Sequence, residues 1–494
     1  MENKKLGIKD RIARATKKQW IKMFIMNILT ILFVLWSGYY LVLFLLLFFF
    51  DCYITKYIPW GFWKKSHNPA VRKTMEWVDA ILFALIAVYF INTFFFQNYQ
   101  IPSSSLEKSL LVGDFLFVSK ISYGARSPMT PFSFPLAQHT LPGLNVKSYL
   151  DKPQIEYKRL PGLGTVKRND IVVFNFPAGD TVALKIQEQD YYSLCFKDPQ
   201  GRAGLWSNKA MYGNIIYRPV DRRENYVKRC LGLPGETIEL RNDTTFIDGQ
   251  PLDDPENIQH LYYIQTDGTQ ISAKLFEDIG ITRDDIAYIQ SSTAKFDSLT
   301  ASHLGLKYIE GKNITLYEDV FLTKPMLETL TNKPFVLSIV KRNQYYKHYN
   351  ELSAKKYYQP VYPLTYDQSC DFGDFPSLWI PKKGATINFD DNVDYKVAAY
   401  QRCIRNYEHN DFDYRDGKVY INGQQADSYT FKFDYYFMMG DNRDNSADSR
   451  AWGFVPEDHV VGQPMFIWLS LDKDKGWFSG KIRWGRLFTS AKKK

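Results

Sequence analysis

Two long apolar stretches stand at the N-terminal end of the chain and limit its folding more than any other feature. The first covers residues 20–50 and the second residues 77–96. A helix of about 20 apolar residues spans the hydrocarbon core of a bilayer. The second stretch therefore has the length of one span, with Asp79 near its start. The first is too long for one untilted span and too short for two full ones. Neither reads as a cleavable leader, whose apolar region is about 7–15 residues and ends in a small-residue cleavage site. Lys4, Lys5, Lys9, Arg11, Arg14, Lys17, Lys18 and Lys22 lead into the first stretch, and Lys56, Lys64, Lys65, Arg72 and Lys73 into the second. Much of the formal net charge of +9 therefore lies in flanks of membrane segments rather than in a nucleic-acid surface. The chain divides accordingly into a basic tail (1–19), an apolar membrane segment (20–50), a basic loop (51–76) and a transmembrane helix (77–97).

If the rest of the chain lies outside the cytoplasm, the basic 51–76 loop is cytoplasmic. A single first span then places the equally basic N-terminal tail outside, whereas a hairpin broken near Ser37-Gly38 returns it to the cytoplasm. The sequence admits both arrangements.

Beyond Phe96, short runs of β-branched and aromatic residues alternate with Gly, Pro, Asn and Asp turns, which predicts a mostly β body. Aromatic residues make up 16% of the chain, consistent with strands and with membrane-interface contact. Strands are expected at 115–119, 170–175, 237–240, 418–421, 435–439 and 465–469. The body is assigned to 98–250 and 416–475, interrupted by an α+β insertion at 251–415, with helix-compatible stretches at 273–277 and 396–408. A basic tail follows at 476–494. The Pro- and aromatic-rich segment 127–164 reads either as an extended loop or as an apolar edge dipping into the membrane interface. Five cysteines, Cys52, Cys195, Cys230, Cys370 and Cys403, have neither the spacing of a disulfide framework nor a CxxC or His/Cys cluster that would hold zinc. No metal or cofactor is expected.

Three blocks carry chemistry-capable residues. Ile101-Pro102-Ser103-Ser104-Ser105-Leu106 follows the second apolar stretch directly and holds hydroxyls at the membrane surface. Tyr226-Val227-Lys228-Arg229-Cys230-Leu231-Gly232-Leu233-Pro234-Gly235 sets a lysine among apolar residues. A lysine turned inward loses much of its preference for the charged form, and a neutral amine can take a proton from a serine hydroxyl. Gly440-Asp441-Asn442-Arg443-Asp444-Asn445-Ser446-Ala447-Asp448-Ser449-Arg450 is too polar for a core and follows the apolar strand 435–439.

With the intervening Lys167-Arg168-Asn169-Asp170 block and the closing Phe466–Asp472 run, these blocks resemble, in order and spacing, the bacterial type I signal peptidases (leader peptidases). These are Ser-Lys dyad serine proteases of family S26. The resemblance covers about 1–250 and 416–475. It implies a mostly β catalytic domain of the signal-peptidase/LexA-like kind behind N-terminal transmembrane helices. It also implies cleavage of signal peptides from exported preproteins after small residues at −1 and −3. By matching motif it makes Ser105 the nucleophile and Lys228 the general base. Ser446 would orient the amine, Ser103 would contribute to the oxyanion hole, and Asp441, Asp448 and Arg450 would support that wall. Ile101, Leu106, Leu110, Tyr226, Val227 and Met438 match positions lining the substrate pockets. The implied setting is the outer face of the cytoplasmic membrane. Signal peptides and membrane lipid are the implied partners, the protein-translocation machinery is a further candidate, and nucleic acid is not one.

Two departures from the family pattern stand out. Leu106 and Lys108 replace the Met and Pro of the usual Ser-Met-x-Pro, and Ser104 replaces the usual glycine between the two serines. The first change also creates Ser105-Leu-Glu-Lys108, formally the S-x-x-K of penicillin-binding enzymes, although no K-T-G strand accompanies it. A non-catalytic membrane-tethered binding protein is a further alternative, disfavoured by the complete Ser105, Lys228 and Ser446 set. The membrane segments and the lack of a DNA-reading module exclude a soluble self-cleaving repressor.

Overall fold

The computed structural model describes residues 7–492 apart from 145, 178–180, 187–188, 190, 296, 353–360 and 364–369. Lys4 and Lys5 of the basic tail lie outside the described residues. Helix α1 spans Lys17–Ser37 and opens with a capping box between Thr16 and Gln19. It ends at Gly38, whose φ of 71° is a left-handed conformation that glycine adopts without strain. The chain then folds back through Tyr40–Thr55 in short consecutive helical turns. Trp20 near the foot of α1 meets Phe50 with ring centroids 6.5 Å apart, and Arg11 donates to the carbonyls of Thr55 and Lys56. The foot is closed by Asp51, which accepts from the Thr55 hydroxyl, the Tyr57 and Ile58 amides and the Trp60 indole. Both ends of the first apolar stretch therefore lie at the same end of a helical hairpin.

Helix α2 spans Pro69–Phe94, beginning well before the apolar stretch because Asn68 caps Ala70 and Pro69 suits a first helical position. Its first turns are polar, so hydropathy alone places its start at Trp77. Both α1 and α2 are long and apolar enough to cross a membrane. Their C-terminal ends meet where Phe33, Trp36 and Tyr39 pack against Phe94.

From α2 the chain passes at once into a seven-stranded, antiparallel, strongly bent sheet. Its strands are β1 (Phe96–Gln100), β2 (Asp114–Ser119), β3 (Ile171–Asn175), β4 (Asn225–Gly232), β5 (Tyr435–Met439), β6 (Val455–Pro456) and β7 (Val460–Ser470), in the order β1-β2-β7-β3-β4-β5-β6. The central strand β3 is buried on both faces. Ile171 and Val173 point into one core with Leu106, Leu110 and Leu116, while Val172 and Phe174 point into a second with Cys230, Met438 and Trp452. This is the period-two alternation of a strand carrying apolar side chains on both sides. Register shifts between β2 and β7 bend the sheet into a half-barrel. Strand β7 starts earlier than the expected 465–469 because Gly462 and Pro464, which read as breakers, sit at irregular positions. A Cβ at Gly462 would lie 2.4 Å from the Ser119 carbonyl oxygen.

Segment 251–415 contributes to two bodies. Strands Gln259–Thr266, Gln290–Ala294, Ile314–Thr323 and Val336–Lys341 form a separate four-stranded antiparallel sheet around Ile264, Phe276, Val320 and Leu322. Residues from Val361 to Phe431 instead share one core with Leu231, Ile238, Tyr435 and Phe437. The C-terminal tail doubles back along β7, with Ala491 N donating to the Met465 carbonyl and Arg486 pairing with Asp114 at 2.5 Å. The 127–164 segment is tied to the ends of α1 and α2 by Trp36 to the Pro161 carbonyl and Tyr89 to the Pro131 carbonyl. It exposes Phe132, Phe134, Leu136 and Leu150 beside them. No two of the five cysteines are joined in a disulfide among the described residues.

The hairpin makes a direct prediction. Single cysteines introduced at Lys17 and Lys65, in protein lacking Cys52, will be labelled by an impermeant maleimide from the same face of sealed vesicles. Labelling from opposite faces would show that the first apolar stretch crosses the membrane once.

Candidate active site

Ser103 is extended and exposed, and Ser104–Leu106 then form a single 3₁₀ turn. Ser104 adopts no positive φ, so the residue in the usual glycine position needs no glycine-only conformation. Ser105 is 9% exposed, and its carbonyl accepts from the Asn442 amide at 3.1 Å. The turn is anchored behind by Leu106 and Leu110, fully buried in the half-barrel core with Ile101. Lys108 has a φ of +71°, a conformation closed to the proline usual there. Its ammonium donates to the Gly280 carbonyl at 2.9 Å, in the module built by 259–341. A long-range bond thus replaces the ring constraint.

Strand β4 carries Lys228 opposite Val172 and Arg229 opposite Ile171, so the two cations project to opposite faces of the sheet. Lys228 is 2% exposed. Burial pushes its ammonium down from the ordinary lysine range to about 8, against the pull of the Asp448 and Asp441 carboxylates. On the other face, Arg229 forms a two-pronged pair with Asp441 at 2.8 and 2.6 Å, and the Ser109 hydroxyl donates to the same carboxylate at 2.5 Å. The sequence reading overlooked Arg229 and Ser109, although the alternation of β4 and the two-residue Lys-Arg run were the available signal.

The third element is the loop after β5. Asp448 pairs with Arg450 through two N–H bonds at 3.0 and 2.8 Å and accepts from the Gly440 amide at 3.1 Å. Burial alone would raise the Asp448 carboxyl, but Arg450 outweighs it and holds the group below its ordinary range. Arg450 also donates to the Arg443 carbonyl, closing the loop. The Ser446 hydroxyl is buried without a partner among the described residues. Gly440 brings the strands of the site together: a Cβ there would lie 2.1 Å from Ser446 Oγ and 2.7 Å from the Ser105 carbonyl oxygen. Glycine is required at this position for close approach, not for its φ.

The Ser446 hydroxyl and the Ser105 carbonyl thus both lie against Gly440, the serine turn contacts strand β4, and Lys228 feels the Asp448 and Asp441 carboxylates. No hydrogen bond joins Ser105, Lys228 and Ser446 directly among the described residues. Of the residues matched to substrate pockets, Ile101, Leu106, Leu110 and Met438 are fully enclosed, while Tyr226 and Val227 are half-buried. No group of three or more His, Cys, Asp or Glu side chains among the described residues is arranged to hold a metal.

A serine on a tight turn, a desolvated lysine and a buried hydroxyl with no partner among the described residues stand in one chain with two helices long enough to cross a membrane. Comparison with known proteins identifies its family. The family model described as "Signal peptidase, peptidase S26" matches residues 74–291 and 427–469. The chain belongs to this signal peptidase family. It is 23% identical over 434 residues to a signal peptidase I of Haemophilus influenzae, covering 87% of this chain and 79% of the relative. To a signal peptidase I of Buchnera aphidicola it is 24% identical over 405 residues, covering 81% and 77% respectively. A short stretch of 36 residues is 61% identical to a signal peptidase I of Aquifex aeolicus, covering 7% of this chain and 14% of the relative.

Removing one partner of a fully buried ion pair strands the other charge and costs about 3–5 kcal/mol. Asp441→Ala is expected to lose stability on that scale in chemical denaturation. A loss below about 1 kcal/mol would show that Arg229 finds another partner or water.

Proposed function

We propose that the protein is a membrane-bound endopeptidase that removes signal peptides from exported preproteins, with Ser105 as nucleophile and Lys228 as general base. The observation that carries this reading is the burial of Lys228 next to the serine turn, which makes its neutral amine accessible near physiological pH. Ser105 attacks the scissile carbonyl while the Lys228 amine accepts its proton. The amine then returns that proton to the leaving nitrogen and activates the water that hydrolyses the acyl-enzyme. The Ser446 hydroxyl, buried without a partner among the described residues, would orient the amine. The Ser105 amide and the Ser103 hydroxyl would stabilise the oxyanion, a contribution of about 2.7–4 kcal/mol per donor in comparable sites. No cofactor is required for these steps. The half-barrel is taken to be of the signal-peptidase/LexA-like type.

The substrate is an extended segment with small residues at −1 and −3, lying along the edge strand β1 and beside Tyr226 and Val227. The catalytic body is assigned to the outer face of the cytoplasmic membrane, where preproteins emerge from the translocation machinery. Lys108 is a poor alternative base: its ammonium is committed to the Gly280 carbonyl, and Ser105 sits on a 3₁₀ turn rather than at the start of an α-helix.

Ser105→Ala and Lys228→Ala are each expected to abolish cleavage of a preprotein after A-x-A while leaving the protein folded. Full activity in either variant would sink the dyad. A covalent β-lactam adduct on Ser105 without preprotein cleavage would point instead to an S-x-x-K enzyme.

The lysine also sets a pH dependence. Since the base must be neutral, kcat/KM is expected to rise with pH through about 8, the value to which burial lowers Lys228. An acid limb centred below about 6 would assign the base to another group.

Stability follows the same proton. The folded pKa lies below the ordinary lysine value of 10.5. The unfolded chain therefore holds more protons between about 8 and 10.5, and stability rises with pH across that window. Relative to Lys228→Met, wild-type protein is expected to gain about 3 kcal/mol from pH 8 to pH 10.5. A flat difference across that range would show that Lys228 is solvated.

A further inference from the structure

A cavity of about 560 Å³ opens beside the last turns of α2, away from Ser105 and Lys228, with Tyr89 and Asn92 of the helix in its wall. The charged residues lining it are Lys120, Arg126, Arg222 and Asp221. The single carboxylate is already engaged: Asp221 accepts from the Thr130 amide and hydroxyl at 2.8 and 2.7 Å, and Arg222 stands 3.8 Å away. Arg126 is held by neutral acceptors, the Asp458 carbonyl and the Asn175 side chain. Arg222 donates through one nitrogen to the Thr130 carbonyl and the Ser133 hydroxyl, but its buried Nε has no partner. Lys120 has no carboxylate within ion-pair distance among the described residues.

The wall is thus an unbalanced cluster of cations with an unused donor. Burial, reinforced by Arg126 and Arg222, pushes the Lys120 ammonium down to about 7, so the cavity as built disfavours its third cation. A bound anion would reverse that penalty. The rim indicates where the anion comes from. Phe134 and Leu136, 50% and 75% exposed, border the cavity at the end of a helix long enough to cross a bilayer. A cationic pocket with an apolar lip at that depth suits a headgroup whose acyl chains remain in the membrane.

We propose that this cavity binds the phosphodiester of an anionic membrane lipid, with Lys120 and Arg222 as its direct ligands and Arg126 behind them. The site rests on α2 crossing the membrane and is independent of which residues perform catalysis. Each charge-assisted bond to the phosphate is of the kind whose loss weakens binding about tenfold.

The test uses full-length Ser105→Ala protein in neutral detergent, so that binding is read without activity. Native mass spectrometry records retention of phosphatidylglycerol against phosphatidylcholine. Lys120→Met removes one ligand, and Asn92→Asp supplies the cavity with its own anion. Both variants are checked for unchanged melting in lipid-free detergent. The expected result is selective retention of phosphatidylglycerol, weakened about tenfold in each variant. Equal retention of the two lipids, or binding by both variants as strong as that of the parent protein, would overturn the site. Displacement of the lipid by millimolar inorganic phosphate would assign the cavity to a free anion. Displacement by an A-x-A signal peptide would assign it to substrate. Either outcome would overturn the lipid proposal.

Discussion

Everything around the serine depends on how the buried charges of β4 are balanced. Lys228 and Arg229 are adjacent, so the strand sends one cation to each face, and both are almost entirely removed from water. Isolated buried charge is very costly, which requires carboxylates within reach. The loop after β5 supplies them, Asp441 for Arg229 and Asp448 on the side of Lys228, but it also brings Arg450 onto Asp448. Counted together, the cluster has three potential cations and two anions. Releasing one proton is the simplest way to balance it. Arginine keeps its proton in this range, whereas burial, with Arg450 beside it, lowers the Lys228 ammonium to about 8 against the pull of the two carboxylates. The same arrangement that makes the cluster foldable thus loosens the lysine's hold on its proton.

The anchor serves this chemistry by distance. Strand β1 starts at Phe96, two residues after α2 ends at Phe94, and Ser105 follows within the next ten positions. At about 3.3 Å per extended residue, Ser105 lies no more than about 36 Å along the chain from the helix end. On the proposed function, a substrate bond presented near the membrane surface would be within reach of Ser105 without any domain movement. The aromatic packing of Phe33, Trp36 and Tyr39 on Phe94 braces that helix end, and the 127–164 segment ties it to the sheet.

Much of this was legible in the sequence because it rests on local patterns. The strands expected at 115–119, 170–175, 237–240, 418–421, 435–439 and 465–469 all fall on strands, since each alternates or runs apolar between turn residues. Family membership was legible from the order of the blocks. Other features are long-range and leave no local trace. The Arg229–Asp441 pair joins positions 212 residues apart. The sharing of one core by 361–431 and 231–247 depends on which faces meet, not on the character of either segment. The early start of α2 was hidden because a polar first turn looks like loop to any hydropathy measure.

The third position after Ser105 shows how a family pattern can be broken and its purpose kept. A proline there would stiffen the turn that carries Ser105 by locking φ near −65°. Lys108 instead takes a φ of +71°, which proline could not adopt, so the backbone path differs and the substitution is no simple loss. Stiffness now comes from outside the turn, through the bond of the Lys108 ammonium to Gly280, itself at a φ of +100°. The module holding Gly280 is in turn joined to the catalytic loop by backbone bonds from Gln259 to Asp441 and from Arg443 to Gln259. Serine turn and loop are therefore braced against the same neighbouring sheet. A chain that lost the proline without gaining that sheet would have no equivalent means of holding Ser105 beside the lysine.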